Sequence, residues 1–338
     1  MINNNLPGAK SPYYLKSGTG ERYLFGGQIA TILARLQDTD CLLQAAIIAG
    51  GMNDTFPLHQ HTAAHETFMV LDGQLDLSLN GKTYLLSRGD YANIPPGTLH
   101  AYRMRSHYTR MLVWSIGGDT AKIYNALGEP YSGFVPPSGP HAGCLAQVLA
   151  AAEATADIKF NGQPMPTGAT QLPDTLVPPA SVVPYVIPCD EGERLIAGDQ
   201  LFSFLATQLN TGGKFITLTT LGPKGDRIPD HFHEKHTETF FCLDGLMTMW
   251  ANGEELQLHP GDFLHVPAGT IHTYRLDAPF TRFVGTLAPG LFEPFFRTMC
   301  DPYDAYIFPQ TPKPVRFDRV IQRLHELDLR LVGGPPPR

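Results

Sequence analysis

Residues 231–245 of the chain are HFHEKHTETFFCLDG, and residues 59–73 are HQHTAAHETFMVLDG. The two stretches match at an offset of 172 residues. The same offset, without a gap, carries GDYANIPPGTLHAYR at 89–103 onto GDFLHVPAGTIHTYR at 261–275. Chance does not give an ungapped match over such a span, so the sequence predicts a duplicated domain.

Short strands joined by tight turns are indicated in both copies. Leu75, Leu77 and Leu79 alternate with polar residues at period two, which is typical of a strand with one buried face. Four hairpin dipeptides lie between such runs: Asp72-Gly73, Asn80-Gly81, Asp244-Gly245 and Asn252-Gly253. Evenly spaced hairpins predict an all-β fold with closed or double-sheet architecture.

The duplication gives a predicted domain boundary. We expect an N-terminal domain over 1–160 and a C-terminal domain over 161–338, with a Pro-rich linker at roughly 158–188. Each copy ends in a short helical pattern, one around 145–149 and one starting near Phe317. A connection as long as this linker is also long enough to cover the mouth of a pocket.

Composition narrows the function classes. The chain has 338 residues, of which 43% are apolar and 17% charged, and its formal net charge is −7. No basic stretch stands out, so neither nucleic acid nor an anionic membrane surface is an expected partner. The N-terminus lacks the apolar run of a secretion signal, and the five cysteines form no CxxC pair. These features predict reduced thiols and a cytoplasmic location.

Each copy carries three histidines and one glutamate at matching positions. The sets are His59, His61, Glu66 and His100 in the first copy, and His231, His233, Glu238 and His272 in the second. Alternate residues of a strand face the same side, so the two histidines of each H-x-H converge. The glutamate can return on the next strand, and the last histidine follows a Pro-x-Gly turn.

These residue types suit a transition metal such as Fe, Mn, Co, Ni or Zn. A lone H-x-H is more often a surface or core pair than a metal site. Recurrence of all four residues at one offset favours a metal in each copy. Four protein ligands leave one or two positions open, which is typical of a catalytic rather than a structural site.

Both halves resemble the cupin family. The motif G-x5-H-x-H-x4-E-x6-G is complete from Gly225 to Gly245, whereas the first copy has Asn53 in place of the leading glycine. The second motif, G-x5-P-x-G-x2-H, is present in both copies, but Met104 and Leu276 replace its usual trailing asparagine. The resemblance implies a bicupin, with two tandem double-stranded β-helix (jelly-roll) barrels and short flanking helices.

More narrowly, residues 10 to 330 resemble the bicupin quercetin 2,3-dioxygenases. The resemblance rests on GERYLFG, GPKGDR, HTETFFCLDGLMTMW, PGLFEPFFRTM and the two second-motif strings. It implies cleavage of the heterocyclic ring of a flavonol-like substrate by O2, with release of carbon monoxide. It also implies one divalent metal per domain, Fe2+ first and Mn2+, Co2+, Ni2+ or Cu2+ as alternatives, and a homodimer.

A catalytic base and a substrate pocket follow from this interpretation. Glu66 is the only acidic residue of the first ligand set and is the predicted general base for the substrate hydroxyl. Five residues near it are predicted to hold the flat aromatic substrate: Phe68, Val70, Ile94, Tyr102 and Met104. Ala92 stands where the second copy has Leu264, so we expect more room in the first copy and most of the turnover there.

Three alternatives remain open at this stage. One is a cupin dioxygenase for another enolisable phenolic metabolite, and another is a non-enzymatic bicupin that binds a small molecule. The third is a bicupin resembling oxalate decarboxylase. By strand parity, Arg103 and Arg275 point outward, and a site without an inward arginine suits a small dianion poorly.

Overall fold

The computed structural model describes residues 2–137, 146–163, 165–166 and 170–333. It is a mostly β structure with short helices, which confirms the predicted fold class. The helix expected near the end of the second copy is present and begins at Phe317. In the first copy a helix covers Ala146–Thr155, and Leu145 lies outside the described residues.

The strands up to the second repeat are β1 Tyr13–Leu15, β2 Glu21–Phe25, β3 Gln28–Ala34, β4 Gln44–Gly50, β5 Thr55–Gln60, β6 His65–Asp72, β7 Gln74–Leu79, β8 Lys82–Ser87, β9 Tyr91–Ile94, β10 His100–Met104, β11 Thr109–Ile116, β12 Glu129–Pro130, β13 Lys159–Phe160, β14 Thr170–Gln171 and β15 Tyr185–Ile187.

The later strands are β16 Glu193–Ala197, β17 Gln200–Ala206, β18 Ile216–Gly222, β19 His231–Phe232, β20 Thr237–Asp244, β21 Met247–Ala251, β22 Glu254–Leu258, β23 Phe263–Val266, β24 His272–Leu276, β25 Thr281–Ala288, β26 Asp301–Pro302 and β27 Arg330–Leu331. The helices are α1 Ala121–Leu127, α2 Ala146–Thr155, α3 Gln208–Thr211, α4 Glu293–Met299 and α5 Phe317–Arg323, with a 3-10 turn at Leu36–Asp38.

Contacts within the chain define two compact units. The first unit is Gly20–Asp190, and the second is Met1–Thr19 together with Glu191–Arg338. The first unit has an eight-stranded sheet in the order β12-β2-β3-β4-β11-β6-β9-β15 and a six-stranded sheet in the order β13-β5-β10-β7-β8-β14. The second unit has an eight-stranded sheet, β1-β23-β20-β25-β18-β17-β16-β26, and a five-stranded sheet, β22-β21-β24-β19-β27. The predicted domain boundary at 160/161 concerns the point in the sequence where the two duplicated segments meet, and it stays a prediction.

The strand that precedes each copy pairs outside that copy. β1 leads the first copy, but Tyr13–Leu15 pairs antiparallel with Phe263–His265 of β23. β15 lies 172 residues after β1, and it pairs with β9 of the first copy. Tyr14 Oη donates to Asp262 Oδ2 at 2.6 Å, which anchors β1 at this edge. Each sheet is thus extended by a strand that stands far away in the sequence.

The predicted linker region carries short strands rather than free chain. β13, β14 and β15 add to strands β5, β8 and β9 of the first unit. Phe160 of β13 lies opposite His59 in this pairing, so the region reaches the edge of the predicted first site.

Candidate metal centres and their cavities

In the first unit, neighbouring strands bring four predicted ligands together. His59 lies on β5 directly opposite His100 of β10, and Glu66 lies on β6. His61 follows the end of β5 by one residue. One donor atom from each of the four residues lies within 4.8 Å of the others, and all four side chains are buried. We call this group the first cup.

Backbone carbonyls fix the orientation of the three imidazoles. The Nδ1 atoms of His59, His61 and His100 lie 2.8, 2.5 and 2.9 Å from the carbonyl oxygens of Pro57, Asp157 and Thr98. A carbonyl only accepts, so each Nδ1 carries the proton and each Nε2 offers a lone pair. This outer contact is the one that typically sets the tautomer of a metal-binding histidine.

Glu66 completes the first cup. Its Oε2 lies 3.2 Å from the Nε2 atoms of both His61 and His100, and Ser115 Oγ donates to its Oε1 at 3.3 Å. Burial would raise the pKa of Glu66, but the adjacent histidines hold it well below its ordinary value. The carboxylate is therefore ionised, as a metal ligand must be.

The second unit repeats this arrangement with an additional histidine. His231 and His272 face each other across β19 and β24, and the Nε2 of His272 lies 3.1 Å from Glu238 Oε2. The donor atoms form two overlapping groups, His231–His233–His272 and His233–His236–Glu238. We call these five residues the second cup. The four predicted ligands are thus adjacent, and His236 joins them.

Backbone carbonyl oxygens also orient the histidine rings of the second cup. Nδ1 of His231, His233 and His272 contacts the carbonyl oxygens of Pro229, Asp328 and Thr270 at 2.9, 2.6 and 2.9 Å. Among the described residues, His233 Nε2 is buried without a hydrogen-bond partner. A buried nitrogen lone pair beside the ligand atoms of the three other predicted metal ligands fits a divalent cation. The combination of imidazoles with a carboxylate suits a transition metal.

Burial also prepares these imidazoles as neutral ligands. Burial lowers the pKa of His231 to about 3, and it lowers the pKa of His59 and His233 well below the ordinary value. Burial opposes the change at His61, but the Glu66 carboxylate beside it raises the His61 pKa. At neutral pH, His59, His231 and His233 therefore present a lone pair rather than a proton.

The sequence patterns did not identify two aspartates and one histidine that contact the cups. Asp157 and Asp328 each accept hydrogen bonds from three consecutive backbone amides of the loop after the H-x-H, at residues 62–64 and 234–236. They stand 171 residues apart, so an ungapped comparison at 172 did not align them. His236 replaces Ala64 of the first copy and could have been found by extending H-x-H to H-x-H-x2-H.

The cavities above the two cups differ in size. The first is about 20 Å³ and is lined by His59, His61, Glu66, Phe56, Phe68, Tyr102, Met111, Val113, Ile123 and Tyr124. The second is about 480 Å³, and His231, Glu238 and His272 open into it. The expectation of more room in the first cup is wrong. Ala92 and Leu264 line neither cavity in the part of the chain that the structure describes, so their sizes do not set the volumes.

The predicted substrate-binding residues are split between the cavity and the core. Phe68 and Tyr102 line the first cavity. Val70, Ile94 and Met104 are buried, but they are not among its lining residues. Strand parity predicted that Arg103 and Arg275 point away from the cups, and the structure agrees. Arg103 pairs with Asp76 at 2.6 Å, and Arg275 pairs with Asp277 at 2.6 Å.

Comparison with known proteins agrees with this architecture. The cupin domain family model matches residues 50–116 and 217–280. Salicylate 1,2-dioxygenase from Pseudoaminobacter salicylatoxidans superposes with a TM-score of 0.58 at 12% identity, covering 96% of this chain and 86% of that one. Oxalate decarboxylase from Bacillus subtilis gives a TM-score of 0.53 at 14% identity, covering 85% and 78%. Two cupin folds with two metal-ligand sets define a bicupin of the metal-binding kind.

Sequence relatives narrow the class. The chain is 50% identical over 332 residues to quercetin 2,3-dioxygenase from Bacillus subtilis, covering 98% of each. It is 36% identical over 126 residues to quercetin 2,3-dioxygenase from Aspergillus japonicus, covering 35% of this chain and 36% of that one. This chain belongs to the bicupin quercetin 2,3-dioxygenase family of oxidoreductases.

Proposed function

We propose that the protein opens the heterocyclic ring of a flavonol of the quercetin type with O2 and releases carbon monoxide. The observation that carries this proposal is the 50% identity, over nearly the whole chain, to a quercetin 2,3-dioxygenase. Both atoms of O2 enter the ring-opened product. One ring carbon leaves as carbon monoxide with the oxygen that it already carries, so no further oxidant or reductant is needed.

The residues of both cups fit one divalent transition metal each. We propose Fe2+ as the native ion, with Mn2+, Co2+, Ni2+ or Cu2+ as alternatives. His59, His61, Glu66 and His100 would hold it in the first unit, and His231, His233, Glu238 and His272 in the second. When bound, such an ion acts as a Lewis acid that lowers the pKa of a hydroxyl placed against it.

A carboxylate in each cup is placed to accept the proton of the substrate hydroxyl. We propose Glu66 for this role if the substrate reaches the first cup and, by the same geometry, Glu238 in the second. Both carboxylates are buried, and neighbouring histidines hold the pKa of each well below the ordinary value. Each is therefore ionised at neutral pH, which is the protonation state that a general base requires.

Apolar and aromatic walls would hold the flat substrate and keep water away. Phe68 and Tyr102 supply such surface at the first cup, and Val70, Ile94 and Met104 pack in the buried layer of that unit. In the second cup, Phe240 and Tyr274 stand at the positions equivalent to Phe68 and Tyr102. Excluding water protects a reactive carbanion-like substrate anion from side reactions.

The proposal also covers partners and location. No helix among the described residues is long and apolar enough to cross a membrane. We propose a cytoplasmic homodimer with a small aromatic substrate and O2 as its partners, and without nucleic-acid or membrane binding. The unbridged thiols of Cys41, Cys242 and Cys300 support a reducing compartment.

The test is turnover of a flavonol panel under air by protein reconstituted with Fe2+. The expected result is loss of flavonol absorbance with one carbon monoxide formed per flavonol consumed. A double variant, His61→Ala with His233→Ala, removes one ligand from each cup and should abolish both signals. Absorbance loss without carbon monoxide would indicate another phenolic dioxygenase. Carbon dioxide from oxalate would indicate a decarboxylase, and binding without turnover a binding protein.

A further inference from the structure

Resting on the proposed function, we infer that the flavonol binds in the second cup of this chain and that an aromatic cluster closes the first cup to it. The two cavities of about 480 and 20 Å³ carry the inference. Small-molecule sites typically measure about 300–1,000 Å³, whereas one water needs about 10–15 Å³. The second cavity therefore has room for a three-ring ligand, whereas the first, as the described residues enclose it, holds only a water-sized or O2-sized one.

The duplication identifies the residues that cause the difference. At three equivalent positions the first copy has the larger side chain: Phe25 against Ala197, Phe56 against Ile228, and Val113 against Gly285. Ala197, Ile228 and Gly285 all line the second cavity. Smaller side chains at these three wall positions therefore leave space in the second cavity that the first-copy residues would occupy.

The first-copy residues fill the corresponding space with a packed cluster. The ring of Phe56 lies 6.1 Å from that of Phe25, 5.7 Å from that of Tyr102 and 4.8 Å from that of His59. Phe25 also packs 5.4 Å from Tyr124 of α1. The aromatic side chains therefore stand over the ligand set where a planar substrate would have to lie.

The walls of the second cavity suit a planar polyphenol. Aromatic rings line much of it: Phe202, Phe240, Tyr274, Phe283, Phe292 and Phe296. Rings of this kind favour stacked or edge-on contact with a flat aromatic ligand. Polar wall residues outside the ligand set include Asp199, Gln200, Thr220, Arg227 and Thr239, and Tyr274 Oη donates to Gln200 Oε1 at 2.5 Å. These side chains provide hydrogen-bonding groups for phenolic hydroxyls.

Exchanging wall residues between the copies tests the inference by equilibrium binding. Quercetin would be titrated without O2 into protein loaded with two metal ions per chain, and binding followed calorimetrically. Ala197→Phe and Ile228→Phe place first-copy residues in the second cavity and should each raise Kd at least about tenfold. Gly285→Val is a third variant, although a Cβ at this position would lie 3.2 Å from the Thr239 carbonyl oxygen. Ala197 and Ile228 border open space, so their variants are the more secure ones.

Val113→Ala is the matched control, because it enlarges the first cavity and should leave Kd unchanged. Metal content and melting temperature verify that each variant is folded. Wild-type affinity in both Ala197→Phe and Ile228→Phe would overturn the assignment to the second cup. If wild-type protein neither binds nor consumes any flavonol, the proposed function itself fails, so the two failures are distinguishable.

Discussion

The two cups share three histidines and one glutamate at equivalent sequence positions, yet their cavities measure about 20 and 480 Å³. The ligands depend on strand register and on carbonyls that hold each Nδ1, and the duplication preserved both features. The cavity depends also on wall side chains such as Phe56 and Ile228, which do not belong to the ligand sets. Metal-binding capacity and substrate capacity are therefore separate properties of a cupin barrel, and one can be lost while the other remains.

The largest expected contrast is between the two glutamates. Glu238→Gln keeps the size of the side chain but removes the base, and should lower kcat by roughly 10²–10⁴, as is typical when a general base is lost. Glu66→Gln should have a smaller effect, below about tenfold, because the first cavity does not admit the substrate. Steady-state turnover of quercetin, corrected for metal content, measures both.

The opposite pattern would restore the first cup as the main site. If Glu66→Gln abolishes turnover and Glu238→Gln leaves most of it, the aromatic cluster around Phe56 must open in solution. Equal losses in the two variants would mean that both cups turn over.

A second contrast concerns the aspartates behind each H-x-H. Asp157 and Asp328 hold the loops whose backbone leads into the cups, and each accepts the Nδ1 proton of one ligand on its carbonyl. Asp328→Asn keeps this backbone carbonyl but replaces the carboxylate that accepts the three loop amides, so the carbonyl is held less firmly. Metal binding in the second cup should weaken about 10–100-fold, a typical effect of disturbing an outer contact. Asp157→Asn should do the same in the first cup only.

Competition with a coloured chelator measures these affinities, because two sites of unequal strength give a two-step titration. Each variant should shift one step and leave the other in place. A variant that shifts both steps equally would show that the aspartate stabilises the whole protein rather than one cup.

The sequence was sufficient for the ligands and insufficient for the cavities. His59 and His231 are separated by an offset that holds across the repeat, and the i, i+2 spacing of each H-x-H brings its two histidines together, so local rules were enough to find these sites. Cavity volume instead depends on side chains that meet only in the fold, as Phe25 and Phe56 do 31 positions apart. The small size of Ala92 did not predict the volume of the first cavity, because strand parity does not tell which buried layer a side chain enters.

The pairing of β1 with β23 was also beyond local rules. Tyr13–Leu15 is a short apolar segment, and nothing in it indicates a partner some 250 residues away. Long-range strand pairing is set by the edge that remains open once both barrels form.

The pH dependence should also differ between the cups. Metal requires neutral imidazoles, so protonation competes with binding, and free imidazole titrates near about 6.5. Although burial opposes it, the Glu66 carboxylate raises the pKa of His61, whereas burial lowers the pKa of its second-copy equivalent, His233, well below the ordinary value. As the pH falls below about 6, the first cup should release its metal before the second.

Metal analysis after equilibration between pH 8 and pH 4 checks this order. The content should fall from two ions per chain to one and only then towards none. The Asp157→Asn variant, which weakens the first cup, should show the earlier step at a higher pH. Full retention of both ions at about pH 4 would contradict the role of imidazole protonation.

The smallest contrast is the one between His236 and its first-copy equivalent, Ala64. His236 Nδ1 lies 2.7 Å from Asp328 Oδ2, while its Nε2 lies 3.5 Å from Glu238 Oε1, which is long for a hydrogen bond. His236 therefore orients Glu238 only weakly, and His236→Ala should lower kcat by about two- to fivefold, corresponding to one modest hydrogen bond. KM and the second metal should be retained, because the four other donors remain in place.

Rescue of kcat by His236→Gln would support orientation through a hydrogen bond. Loss of the second metal ion in His236→Ala would instead show that His236 is itself a ligand, and the second cup would then differ from the first in its coordination as well as in its volume.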